Sequence, residues 1–344
     1  MLTSDQNRKI NEIVEEFKEA ADFYRMEYSE DLMGMFRDFG CMLLLKCKVD
    51  TEGKADLERL LEGRHKLKGT VKRQLMTVSE ELAQLWEPGE QDGSGDTGEY
   101  EGSQNVWEMF QTALEEIFHF CLYSKGGKNR YLLPEETAKP LLRLLTFPEG
   151  MMAGNEGLVV LDTQCGAGSA LMAASRYLKN LRLMGYEKDE EMWAAAVIMS
   201  QLSGLEMELH LEDGARADLY ESCDLVISNP VYGTDTIKDE ELIDQLPGEL
   251  KTVRGRYHME LIRSMQALNF DGKAMLIVPN SFLFANRTES MKVRKWLLQS
   301  YSLEAIISLP EDTFMYSGVR SSVMVFSKPF MSGGWEGHTQ RVLY

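Results

Sequence analysis

The strongest constraint on the fold is a run that passes from a strand through a glycine turn into a helix. The segment GLVVLDTQCGAGSAL, residues 157–171, places four apolar residues before Asp162, then Gly166 and Gly168, then a helical pattern. Six further apolar runs of strand length follow, and helical patterns separate most of them. Strands that alternate with helices form a parallel sheet with both faces covered. The sequence therefore predicts an α/β domain built on a mostly parallel sheet.

The first part of the chain has a different pattern. Over residues 7–28, apolar side chains recur at the spacing of an amphipathic helix, and further helical patterns follow. Residues 88–104 are instead rich in glycine and acid and contain no lysine or arginine, so they cannot bury enough surface to order themselves. The sequence predicts an all-helical N-terminal domain over residues 1–128, with a mobile surface loop at residues 88–104.

The charge of the chain limits how it can meet nucleic acid. Its formal net charge is -18. Because contacts between basic side chains and phosphate supply most non-specific affinity, so acidic a chain is not expected to grip DNA or RNA unaided. Three basic clusters, RHKLKGTVKR, KTVRGR and KVRK, are each typical of a solvated helix face. A nucleic-acid substrate would therefore require a partner or a local basic surface.

Membrane spans, metal sites and disulfides are not expected either. No apolar run approaches the ~20 residues of a membrane-spanning helix, and the N-terminal segment lacks the architecture of a signal peptide. We therefore expect a cytoplasmic protein. The five cysteines form no C-x-x-C pair and have no histidine at metal-ligand spacing. Buried, reduced thiols are the expected state.

Acidic residues end the first three predicted strands. These residues are Asp162, Glu187 and Asp213. The carboxyl ends of parallel strands meet at one edge of a sheet, and an acid after the second strand binds ribose hydroxyls in folds of this class. The glycine turn allows a ligand close to the backbone, but it does not match the G-x-G-x-x-G spacing of a dinucleotide site. A cationic nucleoside such as S-adenosylmethionine fits this acidic pocket better than a dinucleotide.

The fourth strand delivers Asn229, Pro230 and Tyr232 to the same edge. The exocyclic amine of adenine is a poor nucleophile because its lone pair is delocalised into the ring. Two acceptors, the Asn229 side-chain oxygen and the Pro230 carbonyl, would localise that lone pair toward a methyl donor without a strong base. The Tyr232 ring can stack on a base that has left its helix. The order of glycine turn, acids and asparagine loop favours this interpretation over an ordinary turn.

The same segments resemble a known enzyme family. LDTQCGAGS, GYEKD, LEDGA and NPVYG resemble motifs I to IV of the gamma-order, S-adenosylmethionine-dependent DNA adenine N6-methyltransferases. The segment YLLPEETAKPLLRLL, and the stretch from GKAMLIVPNSFLF to SSVMVFSK, resemble the modification subunits of type I restriction systems. The resemblance covers roughly residues 131–328. It implies a Rossmann-like methyltransferase domain over residues 129–344, which follows the helical domain along the chain.

The resemblance also implies a role for individual residues. In the cofactor site, Tyr131 and Pro134 would lie near the methionine end, Asp162, Gly166 and Gly168 would line the cofactor, Glu187 would bind its ribose and Asp213 its adenine amine. In the catalytic loop, Asn229, Pro230 and Tyr232 would hold the target adenine. No metal is implied.

The chain departs from the family pattern at several positions. The family has proline where this chain has Thr163 and Val231, and usually threonine where it has Leu133 and Ala167. A second loop proline fixes its own φ but adds no acceptor to those of Asn229 and Pro230. We therefore expect Val231 to loosen the loop by about 0.4 to 1 kcal/mol, by analogy with proline substitutions elsewhere. The result would be a slower enzyme.

The expected function is DNA adenine N6-methylation, as the modification subunit of a restriction-modification system. Because the chain is acidic, we expect a separate specificity subunit to read the DNA, with a restriction subunit as a further candidate partner. Two alternatives stay open. The chain could be a catalytically degenerate cofactor-binding or assembly subunit, or a methyltransferase that acts on a protein glutamine or on RNA with the same asparagine-proline loop.

Overall fold

The computed structural model describes residues 2–28, 31–49, 55–62, 67, 69–86, 101–124, 132–145, 147, 157–220, 222–230, 232, 235–314 and 318–329. The chain forms two compact units, one of Met1–Arg130 with Ala194–Leu205 and the other of Tyr131–Trp193 with Glu206–Tyr344. The domain boundaries predicted from the sequence, 1–128 and 129–344, stay a proposal. The two compact units differ from them because Ala194–Leu205 groups with the helical unit. None of the described helices combines the length and the apolar character that a membrane-spanning segment needs.

The first unit is helical, as the apolar spacing predicts. Its helices are α1 (Ser4–Glu27), α2 (Met33–Lys46), α3 (Ala55–Glu62), α4 (Gly69–Ala83) and α5 (Glu101–Leu122). The Phe17 ring of α1 meets the Phe39 ring of α2 edge to face, with centroids 5.0 Å apart. A Cβ atom at Gly40 would lie 2.5 Å from the Cδ1 atom of Ile198, so α2 packs there without a side chain. Of the predicted loop, residues 88–100 lie outside the described residues, and residues 101–104 are helical.

The second unit alternates strands and helices along most of its length. Its elements are α6 (Glu135–Arg143), β1 (Leu158–Asp162), α7 (Ser169–Tyr177), β2 (Leu181–Glu187), α8 (Glu190–Leu202), β3 (Met207–Leu211), β4 (Cys223–Ser228), α9 (Glu240–Asp244), α10 (Arg256–Gln266), β5 (Leu268–Pro279), α11 (Asn280–Phe284), α12 (Thr288–Ser300), β6 (Ser302–Ser308) and β7 (Ser321–Ser327). From Ala194 onward, α8 belongs to the first unit. The seven strands predicted from apolar runs are all present.

These strands form a seven-stranded sheet in the order β3-β2-β1-β4-β5-β7-β6. Neighbours from β3 to β5 are parallel, whereas β7 lies antiparallel between β5 and β6. The predicted α/β fold with a mostly parallel sheet is confirmed. Because β1, β2, β3 and β4 run in one direction, their carboxyl ends, and the loops that follow, lie along one edge.

The core of this unit holds that edge in place. Leu161 of β1, Val226 of β4 and Leu276 of β5 are fully buried in one apolar cluster, which helix α10 covers with Leu261 and Met265. All five cysteines are also buried, as expected for structural thiols. Packing at this density leaves little freedom to the strand ends. The loops at the carboxyl edge therefore start from fixed positions.

Candidate active site

The glycine turn connects β1 to α7 through two residues in the left-handed region. Gly166 has φ 56° and Gly168 has φ 80°. A non-glycine residue adopts this region only at a cost in strain. Gly168 is the N-cap of α7, and its carbonyl accepts from Met172 N at 2.9 Å. The turn thus presents the first backbone N–H groups of α7 at the sheet edge, where they have no intrahelical acceptor.

Glu187, the last residue of β2, binds the turn directly. One carboxylate oxygen accepts from Gly166 N at 3.0 Å and the other from Asp189 N at 2.7 Å. Burial raises the pKa of Glu187, although these backbone hydrogen bonds oppose the rise. Each oxygen still has a lone pair for a hydroxyl donor. Glu187 can therefore both fix the turn and bind a ribose.

Asp162, the last residue of β1, is only 2% exposed. Its Oδ1 atom accepts from Gln164 N at 3.0 Å. Burial raises the pKa of Asp162 to about 7, the Gln164 hydrogen bond opposes the rise, and the charge of Glu187 adds to it. The buried Asp162 and the half-buried Glu187 thus lie close enough for their charges to interact. Their mutual repulsion would be relieved by a cation bound between them.

Asp213 follows β3, and a basic residue holds it. Its two carboxylate oxygens accept from the Arg256 guanidinium at 3.3 and 2.9 Å, and Oδ1 also accepts from Ala215 N at 3.2 Å. Burial by itself would raise the pKa of Asp213, but the hydrogen bond and charge of Arg256 outweigh it and lower the pKa. Arg256 belongs to the KTVRGR cluster that the sequence assigned to a solvated surface. That assignment is wrong for Arg256, because its side chain is only 23% exposed and lies between Asp213 and Glu260.

The asparagine loop leaves the end of β4 at the same edge. Pro230 is buried, and Asn229 and Tyr232 are half-buried. Among the described residues, none forms a hydrogen bond with the Asn229 side-chain amide. The Tyr232 hydroxyl lies 3.2 Å from Ser321 Oγ, and its ring meets the Tyr257 ring edge to face at 5.7 Å. Val231 lies outside the described residues, so its predicted effect on the loop stays a prediction.

The segment before the sheet meets the glycine turn. Leu133 N donates to Ser169 Oγ, at the start of α7, at 3.2 Å. Pro134 is the N-cap of α6, one residue beyond this contact. Tyr131 lies outside the described residues. Of the predicted cofactor residues, the structure therefore places Pro134 in the segment that contacts the turn, Asp162 and Glu187 beside the turn, and Asp213 at the end of the neighbouring strand.

Sequence reasoning missed the contribution of α10. Tyr257 is 7% exposed, and its hydroxyl has no hydrogen-bond partner among the described residues. It packs edge to face against both Tyr232 and Phe282. The only sequence signal was the position of RGRYHME at the start of a helical pattern, which does not say which strand ends that helix meets.

Known structures with this architecture support one class of protein. A class I S-adenosylmethionine-dependent methyltransferase, described as putative, from Listeria monocytogenes has a TM-score of 0.68 at 17% identity and covers 98% of this chain and 92% of that one. A modification subunit of a putative type I restriction enzyme from Vibrio vulnificus has a TM-score of 0.64 at 15% identity, with coverages of 99% and 87%. The fold is that of the S-adenosylmethionine-dependent methyltransferases.

Sequence comparison narrows the class to a family. The family model described as N-6 DNA Methylase matches residues 110–342, and the chain belongs to this family. A type I restriction enzyme MjaVII methylase subunit from Methanocaldococcus jannaschii is 24% identical over 298 residues, which are 79% of this chain and 47% of that protein. The restriction enzyme and methyltransferase RM.BcgI from Heyndrickxia coagulans is 27% identical over 191 residues, 50% of this chain and 28% of that protein. The chain thus spans about half the length of these relatives, or less.

Proposed function

We propose that the chain is a DNA adenine N6-methyltransferase that takes its methyl group from S-adenosylmethionine. The observation that carries the proposal is the placement of the Asn229-Pro230 loop and the glycine turn at the carboxyl ends of two adjacent parallel strands, β4 and β1. A methyl donor at the turn and an amine at the loop would then lie side by side. Membership of the N-6 DNA methylase family supports the same reaction.

The residues at the turn fit the cofactor. A cation relieves the repulsion between Asp162 and Glu187, whose pKa values are both raised by burial. The backbone at Gly166 is open, since a Cβ atom there would meet only Met192 Cε, at 3.6 Å. We assign Gly166, Gly168 and Asp162 to the walls of the site, Glu187 to the ribose, Asp213 to the adenine amine, and Tyr131 and Pro134 to the methionine end. When bound, the cofactor supplies a methyl group activated by a sulfonium.

In the proposed mechanism, the asparagine loop prepares the target amine. The Asn229 side-chain oxygen and the Pro230 carbonyl accept its two N–H hydrogens, so that the nitrogen lone pair points toward the methyl donor. The Asn229 amide supports this role, since no residue in the described part of the chain forms a hydrogen bond with it. The Tyr232 ring stacks on the flipped base, and edge-to-face packing against Tyr257 holds the Tyr232 ring in its orientation. No general base is required before transfer, because the product cation loses its proton readily.

The proposed partners follow from charge and family. With a net charge of -18, the chain is expected to bind DNA weakly, so we propose a separate specificity subunit that reads the sequence, with a restriction subunit as a further partner. We propose the cytoplasm as the compartment in which it meets DNA. Tight, sequence-specific binding of DNA by the isolated chain in a fluorescence-anisotropy titration would contradict the need for a specificity subunit.

The experiment that tests the function is methylation in cells. The chain, with the genes that neighbour it, is expressed in a host that lacks adenine methylation, and N6-methyladenine in the DNA is measured by mass spectrometry and located by modification-sensitive sequencing. We expect N6-methyladenine at a defined site, and none with Asn229→Ala. The matched control is Asn7→Ala, an exposed asparagine of α1, which should behave as wild type. Absence of the mark with the wild-type chain would reject catalysis of DNA methylation.

The alternatives predict different results. A degenerate subunit would bind S-adenosylmethionine in calorimetry and leave DNA unmodified. A methyltransferase of protein or RNA would transfer a radioactive methyl group to those fractions of a lysate and not to DNA. An assembly subunit without a cofactor would show no binding heat.

A further inference from the structure

Four polar side chains form a closed ring of hydrogen bonds beneath the candidate site. They belong to Thr163, Gln164, Ser228 and Ser264. Gln164 Nε2 and Thr163 Oγ1 are 2.5 Å apart, Thr163 Oγ1 and Ser264 Oγ 2.6 Å, Ser264 Oγ and Ser228 Oγ 3.4 Å, and Ser228 Oγ and Gln164 Oε1 3.4 Å. We refer to these four residues as the polar ring.

The polar ring has one consistent direction of donation. Each hydroxyl has a single proton. If Gln164 Nε2 donates to Thr163, Thr163 donates to Ser264, Ser264 to Ser228, and Ser228 back to the amide oxygen of Gln164, then every hydroxyl donates once and accepts once. The three hydroxyl residues are 1%, 0% and 0% exposed, so water does not replace a lost link. Loss of one side chain therefore leaves its neighbours with unsatisfied buried groups.

The position of the polar ring connects the two halves of the site. Thr163 and Gln164 directly follow Asp162 on the cofactor side, and Gln164 N also donates to Asp162. Ser228 directly precedes Asn229 on the target side. Ser264, on α10, closes the ring from outside the sheet. The ring thus crosses from β1 to β4 at the edge where their backbone pairing ends.

We propose that the polar ring is a positioning device that fixes the distance between the glycine turn and the asparagine loop. It rests on the proposed function, because the two segments matter jointly only if a donor and an acceptor react across them. The family resemblance expects proline at position 163, where a ring would restrain the backbone. In this chain the Thr163 hydroxyl restrains the same segment through its partners. Its side chain is a positioning group and does not touch the reacting atoms.

The test removes one link at a time. Ser264→Ala opens the polar ring from α10 without substituting any residue of the turn or the loop, and Thr163→Val removes a hydroxyl at nearly constant shape. We expect kcat for DNA methylation to fall about 10- to 100-fold in both, the usual effect of a small misplacement of reacting groups. The KM for DNA should stay within about threefold, because contacts with DNA are unchanged. Thr163→Ser keeps the hydroxyl and should retain most of the wild-type kcat.

Hydrogen–deuterium exchange gives a second readout that does not depend on activity. Ser264→Ala should speed exchange in peptides covering residues 163–168 and also residues 226–230, although the substituted residue lies in α10. The control is Ser79→Ala, which removes a buried hydroxyl bonded to the Met76 carbonyl in α4 and should change neither region nor kcat. An unchanged kcat in both ring variants, or faster exchange confined to α10, would overturn the proposal. Absence of methylation by the wild-type chain would reject the proposed function. The exchange result would still show whether the polar ring couples the glycine turn to the asparagine loop.

Discussion

Arg256 donates a hydrogen bond to each carboxylate oxygen of Asp213, at 3.3 and 2.9 Å, and a further one to Glu260 at 3.1 Å. The guanidinium therefore joins the loop after β3 to helix α10. Burial raises the pKa of Glu260 to about 7 in spite of this cation, whereas the pKa of Asp213 is lowered. The proposed adenine contact thus depends on a residue that the sequence did not single out.

Replacing Arg256 should destabilise the protein in a pH-dependent way. Arg256→Met leaves the largely buried Glu260 without its ion-pair partner and Asp213 with only the longer contact to Arg216, at 3.8 Å, and we expect the free energy of unfolding to fall by about 2 to 3 kcal/mol. The loss should be greater at about pH 8 than at about pH 6, because protonation of Glu260 relieves part of the cost. Urea denaturation at the two pH values measures both effects.

The matched control is Arg182→Met. Arg182 pairs with Glu208 at 2.8 Å, but the two side chains are 58% and 39% exposed. An exposed pair contributes about 0 to 1 kcal/mol, so this variant should stay close to wild type. Equal losses in the two variants would mean that the Arg256 contacts are as weak as surface ones.

The raised pKa of Asp162 predicts that cofactor affinity depends on pH. A carboxyl with a pKa of about 7 is half protonated near neutrality, and only its ionised form attracts a cation. The affinity for S-adenosylmethionine should therefore rise with pH through about 7, by up to tenfold per unit on the acid side. Calorimetry in buffers of different ionisation enthalpy should also detect proton release on binding. In Asp162→Asn the affinity should be weaker and its pH dependence flatter.

The raised pKa of Asp162 affects the stability of the cofactor-free protein in the opposite direction: stability falls as pH rises. Since the pKa of Asp162 is raised to about 7 from 3.8, the folded state holds a proton that the unfolded state has lost. Its contribution to stability is present below the unfolded value and is lost as pH rises through the folded value. Thermal unfolding should therefore show a decline in stability from about pH 4 to about pH 7, levelling off above it, and Asp162→Asn should reduce that decline. Glu260→Gln should remove a separate part of the decline in stability with pH, since the pKa of Glu260 is also raised to about 7.

Removing the Tyr257 hydroxyl should stabilise the fold. This buried hydroxyl has no partner among the described residues, and an unsatisfied buried polar group costs about 1 to 3 kcal/mol. Tyr257→Phe should accordingly raise the free energy of unfolding by about 1 kcal/mol. Tyr301→Phe is the control, because the buried Tyr301 hydroxyl donates to the Met265 carbonyl at 2.8 Å and its loss should destabilise. A less stable Tyr257→Phe would imply a bonding role for the hydroxyl in the folded state.

The strands and the turn were predictable because their signals are local. Apolar runs, glycines and the acids that follow them lie within a few residues of each other along the chain. The insertion of β7 between β5 and β6 was not predictable, because strand pairing depends on contacts distant in sequence. The same holds for Thr163, which looks in sequence like a lost proline. Its partner Ser264 is 101 positions away, and only the fold brings the two hydroxyls within 2.6 Å.

Gly185 of β2 packs against the glycine turn, and a methyl group on Gly185 should disturb cofactor binding. A Cβ atom on this β2 residue would lie 2.8 Å from Cys165 Sγ, 2.9 Å from Leu209 Cδ2 and 3.0 Å from Leu171 Cδ1. These neighbours are buried, so Gly185→Ala should destabilise by about 1 to 3 kcal/mol and weaken S-adenosylmethionine binding by displacing Cys165, the residue of the turn that directly precedes Gly166. Gly248→Ala, where a Cβ atom would meet nothing within 4 Å, should change neither thermal unfolding nor calorimetric affinity. If Gly185→Ala lost stability but bound the cofactor normally, the turn would not depend on the strand beneath it.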